Sequence, residues 1–66
     1  MLKERFLALY ACVFDKQGYV QPCGREACKE LIILANQIQK NTNFGDERTG
    51  MMNPQAMRDL HTKLTS

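Results

Sequence analysis

A chain of 66 residues has room for one small domain, and its 44% apolar and 24% charged residues are typical of a folded protein rather than a disordered one. The formal net charge is only +2, and basic and acidic residues stand beside each other, as in Lys3-Glu4-Arg5 and Arg58-Asp59. A surface that follows nucleic-acid phosphates needs clustered lysine and arginine, so this charge pattern does not favour nucleic-acid binding.

The first predicted helix covers about residues 2–14. Its apolar residues recur at spacings of four, three and four, which is typical of one face of a helix. These residues are Leu2, Phe6, Leu9 and Val13. The segment also has the outline of a signal peptide, but Glu4 lies among its basic residues and its apolar run, Phe6 to Phe14, is short. That run is far below the roughly 20 residues of a membrane span. We therefore interpret the segment as an amphipathic helix of a cytoplasmic protein without a membrane partner.

Two more helices are predicted further along the chain. The second covers about residues 24–40 and repeats the same spacing at Ala27, Leu31, Leu34 and Ile38. The third covers about residues 54–64. It begins at Asn53-Pro54, because asparagine caps a helix and proline suits its first position.

Two similar segments separate the predicted helices. Tyr19-Val20 and Met51-Met52 each stand between a glycine and an amide-Pro pair, and each follows a polar turn that begins with aspartate. Pairing the two segments as a minimal antiparallel β-bridge would satisfy backbone groups left open between the helices. The predicted fold class is therefore all-α, a small three-helix domain over residues 1–66 in which these two segments can pair as a minimal β-bridge.

The sequence predicts neither a metal nor another cofactor. Neither loop has the ligand pattern of an EF-hand calcium loop, since the twelfth position from Asp46 is Met57 rather than glutamate. Three cysteines and one histidine match the number of ligands in a zinc site, but their spacing lacks a tight ligand pair. These residues are Cys12, Cys23, Cys28 and His61. Cys28 also falls on the apolar face of the second helix, where cysteine behaves as a small hydrophobic residue. The sequence does not indicate whether these four side chains lie close together in the folded protein.

Catalysis is not predicted. Cys23 is the cysteine expected to be most exposed and reactive, since it precedes a helix whose dipole favours a thiolate. A nucleophilic cysteine needs a base, and nothing in the sequence places His61, the sole histidine, beside it. The chain also lacks a glycine-rich phosphate loop and a serine nucleophile elbow. We expect a protein that is not an enzyme.

Apolar residues outside the predicted core indicate the expected function. Ile33 lies opposite the apolar face of the second helix, and Met51 and Met52 lie together in a loop. Exposed isoleucine and methionine mark docking surfaces, although one exposed isoleucine is ordinary and the methionine pair can cover the core instead. We expect a protein-interaction or regulatory module that forms a homodimer or docks on a partner protein through its first two helices.

A small nucleic-acid-binding regulator is the alternative function. In that case the second or third helix would enter a groove of the nucleic acid, and the basic side chains would form one continuous face. The residues required for that face are Lys3, Arg5, Arg25, Lys29 and Lys40.

Overall fold

The computed structural model describes residues 1–22, 24–40 and 42–66, apart from the side chain of Thr42. Three α-helices span these ranges: α1 (Leu2–Val13), α2 (Arg25–Ile38) and α3 (Pro54–Thr65). A short 3-10 turn, Thr42–Phe44, leads into strand β1 (Gly45–Asp46), which is followed by strand β2 (Met51–Met52). The predicted fold class is confirmed, with three helices and a minimal antiparallel sheet in a mostly helical domain.

The pairing predicted between Tyr19-Val20 and Met51-Met52 is wrong, because each segment pairs within its own loop. In the two-stranded sheet Met52 lies opposite Gly45, and Met51 lies opposite Asp46. Val20 instead forms an isolated antiparallel bridge with Phe14. The physical reason is the length of chain that each pairing closes. Both observed pairings close a turn of a few residues, whereas the predicted one would close a loop of about 30 residues, at a higher cost in entropy.

An aspartate organises each of the two hairpin turns. The Oδ1 atom of Asp15 accepts hydrogen bonds from the backbone amides of Gln17 and Tyr19, both at 2.9 Å. The Oδ1 atom of Asp46 accepts one from the amide of Arg48, also at 2.9 Å. Aspartate is favoured in turns because its short side chain bonds to backbone groups two residues on. The similarity between the two loop sequences therefore corresponds to a shared local structure, an Asp-led hairpin.

The core lies where the three helices and the second hairpin meet. Its largest fully buried side chains are Phe6, Val13, Phe14, Leu31, Ile32 and Met57. The second hairpin packs directly on α2, since a Cβ placed on Gly45 would lie 3.1 Å from the Cδ1 atom of Ile32. At the start of α3, Asn53 Oδ1 accepts a hydrogen bond from the Ala56 amide at 3.4 Å, and Pro54 is the first helical residue, as predicted.

Candidate interaction surface

The side of α1 that faces away from the core carries no charge along most of its length. Between Arg5 and Asp15 the chain contains no charged residue. Along this stretch Ala8, Ala11 and Cys12 are exposed. A helix at a protein surface normally places charged or polar residues opposite its buried face. The outer side of α1 therefore has the composition of a covered surface rather than of one in contact with water.

A shallow groove runs between the outer sides of α1 and α2, and we name it the α1–α2 groove. It consists of two adjoining depressions with volumes of ≈ 320 Å³ and ≈ 590 Å³. Its apolar lining residues include Ala8, Leu9, Cys12, Ile33 and Leu34. Ile33 is 40% exposed, which is high for a large aliphatic side chain and leaves a hydrophobic surface open to solvent.

The charges around the α1–α2 groove differ between its two depressions. Glu30 lines both depressions; Arg5 belongs to one of them, whereas Glu26 and Glu47 belong to the other. Lys29 lies on the acidic side as well, but its Nζ atom is 3.9 Å from Glu26 Oε1 and is partly neutralised by that carboxylate. The groove thus has an acidic end, and its arginine lies in the other depression together with Glu30.

The structure places the three predicted contact residues in different surroundings. Ile33 lines the α1–α2 groove. Met51 is 72% exposed on β2, and Met52 is half-buried and packs against the core. Neither methionine is among the lining residues of the groove. The groove itself has no single sequence signal, because it depends on how α1 and α2 pack together.

Four of the five basic residues required for the alternative function lie on α1 or α2, and Lys40 follows the end of α2. Arg5 shares a depression with Leu34. Arg25 is the first residue of α2, nine residues before Leu34, which is about 13 Å along the helix axis. Lys29 lies between these positions and pairs with Glu26. Within the described part of the chain, acidic side chains therefore interrupt the basic ones.

Three of the four candidate zinc ligands are described, and these three lie in separate environments. Cys12 lines the α1–α2 groove, and Cys28 is half-buried against the core. His61 stacks on Tyr10, with ring centroids 4.0 Å apart. Cys23, the cysteine predicted to be most reactive, lies outside the described residues. Among residues 1–22, 24–40 and 42–66, no group of three His, Cys, Asp or Glu side chains is placed to hold a metal ion.

A larger depression, the α1–α3 cleft, lies between the end of α1, the first hairpin turn and α3 and has a volume of ≈ 710 Å³. Tyr10 stacks on Phe14 as well as on His61, and the two ring pairs are inclined by 10° and 11°. Burial raises the pKa of the Tyr10 phenol, and the positive charge of Arg58 acts in the opposite direction. The sequence does not reveal this cleft, because its rings come from opposite ends of the chain.

No protein-family model, curated protein or solved structure matches this chain. In the part of the chain that the structure describes, no helix combines the length and the apolar character needed to cross a membrane. A functional interpretation therefore depends on the chemistry of the surfaces described above.

Proposed function

We propose that the protein is a non-enzymatic interaction module that forms a homodimer through the α1–α2 groove. The observation that carries this proposal is the exposed, uncharged side of α1 between Arg5 and Asp15. A helix that is apolar on both sides is usually covered on both sides. The core covers one side of α1, and a second copy of the chain would cover the other.

The charges of the groove support a second copy as its occupant. In a two-fold symmetric interface, a contact from residue i to residue j is repeated from j to i. If two copies pack antiparallel, Arg5 of each copy faces the acidic end of the other, where Glu26 and Glu47 lie. The small side chains of Ala8 and Cys12 allow two α1 helices to approach closely.

The size of the domain also favours self-association. A single core in a chain this short contributes only about 3–5 kcal/mol of stability, and oligomerisation is one of the ways in which small domains increase it. The alternative, a nucleic-acid-binding regulator, is less well supported because Glu26 and Glu30 lie among the basic residues of α2. Salt-sensitive binding to DNA or RNA would support that alternative.

Light scattering on the purified chain tests the proposal. We expect a mass twice the 7.6 kDa of one chain. Ile33→Glu should give a monomer, because it places a carboxylate in an apolar interface next to Glu26, Glu30 and Glu47. Met51→Glu is the matched control, since Met51 is exposed but lies outside the groove. A wild-type monomer at about 1 mM would contradict the dimer. Dissociation by Met51→Glu alone would place the interface elsewhere.

A charge exchange tests the orientation of the two copies. Arg5→Glu should weaken the dimer, because it brings carboxylates together at both ends of the interface. Adding Glu47→Lys to that variant should restore much of the affinity, since the exchanged charges then attract. If the double variant dissociates as readily as Arg5→Glu, the antiparallel arrangement is wrong. Circular dichroism shows in each case whether the helices are intact.

A further inference from the structure

The α1–α3 cleft is a second surface feature, separate from the proposed dimer interface. Its volume of ≈ 710 Å³ falls within the range of small-molecule sites, about 300–1,000 Å³. It shares no lining residue with the α1–α2 groove. A ligand in the cleft and a second copy on the groove would therefore not compete for the same side chains.

Stacked rings give the cleft a rigid wall. Phe14 is only 2% exposed, and Tyr10 lies on it with ring centroids 4.3 Å apart. His61 lies parallel to Tyr10 at 4.0 Å and is the half-buried member of the three. Because a close-packed core holds Phe14 and Tyr10, the imidazole is held in a fixed orientation at the cleft. A flat ring held in this way is a stacking surface for another aromatic ring.

Positive charge borders the same wall. The Nη1 atom of Arg58 donates to the Gly18 carbonyl at 2.9 Å, and its Nη2 atom donates to Gln55 Oε1 at 3.2 Å. A guanidinium carries five N–H donors, so these two bonds position Arg58 and leave donors for an anion. Lys16 also lines the cleft. The carboxylate in the lining is that of Asp15, whose Oδ1 atom already accepts two backbone amides.

We propose that the α1–α3 cleft binds a small planar aromatic anion, a molecule in which a flat ring stands beside a phosphate or a carboxylate. The ring stacks on the imidazole of His61, and the anionic group accepts hydrogen bonds from Arg58 and Lys16. Both parts of the ligand are required, because the cleft presents a ring surface and positive charge side by side.

Nuclear magnetic resonance titration of the ¹⁵N-labelled full chain tests this site with four probes. Adenosine monophosphate carries a ring and a phosphate, and salicylate carries a ring and a carboxylate. Adenosine and inorganic phosphate are the controls that lack one of the two parts. We expect at least one of the two aromatic anions to shift the amides of His61 and Thr62 with a dissociation constant of about 1 mM or lower. Both controls should bind at least about tenfold more weakly.

The outcomes of the titration identify the anionic group of the ligand or overturn the proposal. Binding of the monophosphate alone assigns a phosphate ligand, and binding of salicylate alone assigns a carboxylate ligand. Failure of both to shift these amides at about 10 mM overturns the proposal. Inorganic phosphate binding as tightly as the aromatic anions also overturns it, because the ring would then contribute nothing.

Two lysines provide a matched pair of variants. Lys16→Gln removes an exposed charge at the cleft, and Lys63→Gln removes one on the same helix as Arg58 but outside the cleft. Lys16→Gln should weaken binding of the aromatic anion at least about threefold, and Lys63→Gln should leave it unchanged. Equal effects would contradict a defined site. Neither lysine packs in the core, so neither substitution should disturb the fold.

Discussion

Gly45 is the position at which a single added methyl group should disturb the fold most. Its φ is +138°, a conformation that L side chains rarely adopt. A Cβ at this position would overlap the carbonyl oxygen of Met51 and lie 2.8 Å from the Cα atom of Met52. Both are backbone atoms, so no change of rotamer removes the overlap. Gly45→Ala should therefore separate β1 from β2 and lift the hairpin from α2.

Gly24 provides the matched comparison for the size of this effect. Its φ of +85° is also positive, but no atom lies within 4 Å of a Cβ placed there. Gly24→Ala should thus cost only the backbone strain, about 1 kcal/mol. Gly45→Ala adds the displacement of packed backbone, about 2 kcal/mol more, for a total of about 3 kcal/mol. That total approaches the whole stability of a domain this small, about 3–5 kcal/mol.

Urea denaturation followed by circular dichroism, at one fixed protein concentration, measures the difference. With a slope of about 1 kcal/mol per molar urea, the midpoint should fall by about 1 M in Gly24→Ala and by about 3 M in Gly45→Ala. A Gly45→Ala protein that is already partly unfolded without urea agrees with the same reasoning. Equal midpoints for the two variants would refute it, because the close contact between the hairpin strands would then contribute nothing.

Three further predictions concern the turns, the cap of α3 and the buried tyrosine. Asp15→Ala should lower the free energy of unfolding by about 1 kcal/mol, since two backbone amides lose their acceptor. Asp59→Ala is the control, because it removes only an exposed contact with Gln55, and it should change the free energy of unfolding by less than about 0.5 kcal/mol. Urea midpoints compare the two, and equal shifts would contradict the role of the turn. Asn53→Ala should lower the free energy of unfolding by about 1 kcal/mol, because it removes the side chain that caps α3. Asn53→Ser should keep most of that stability, since serine also caps helices. An equal loss of thermal stability in both variants would argue against capping. Burial raises the pKa of Tyr10 in the folded protein, so the unfolded chain loses the phenol proton at a lower pH than the folded protein does. The free energy of unfolding should therefore fall as pH rises above the pKa of an unfolded tyrosine, about 10. Tyr10→Phe should lose less stability than wild type between pH of about 9 and about 11, and an identical loss would exclude the tyrosine as the cause.

The helices could be predicted because their signals are local. The four-three-four spacing of apolar residues predicts α1 and α2, and Asn53-Pro54 marks the first residue of α3. The buried face of α1 was predicted only in part, since Phe6 and Val13 are buried together with Tyr10, whereas Leu2 is exposed and Leu9 lines the α1–α2 groove. The sequence predicted which segments are extended, but not which segments pair with each other. The sequence indicates that Tyr19-Val20 and Met51-Met52 are extended, but the partner of each depends on which loop closes at the lowest entropy cost.

The surfaces were predictable only in part. The exposure of Ile33 follows from its position two residues after Leu31, on nearly the opposite side of α2. The exposure of Ala8 and Cys12 does not, since small apolar residues fit a core as well as a surface. The stack of Tyr10 and His61 required α3 to pack against α1, a long-range contact that no local pattern contains.

The most direct test of the proposed homodimer is an isotope-filtered nuclear Overhauser experiment on a mixture of ¹³C-labelled and unlabelled chains. Such a spectrum contains only contacts between different copies. The proposed interface predicts cross-peaks between copies from the methyl groups of Ala8, Leu9 and Ile33, which line the α1–α2 groove. Cross-peaks from Met51 without any from these three methyl-bearing residues, or no cross-peaks from a sample of dimeric mass, would contradict it.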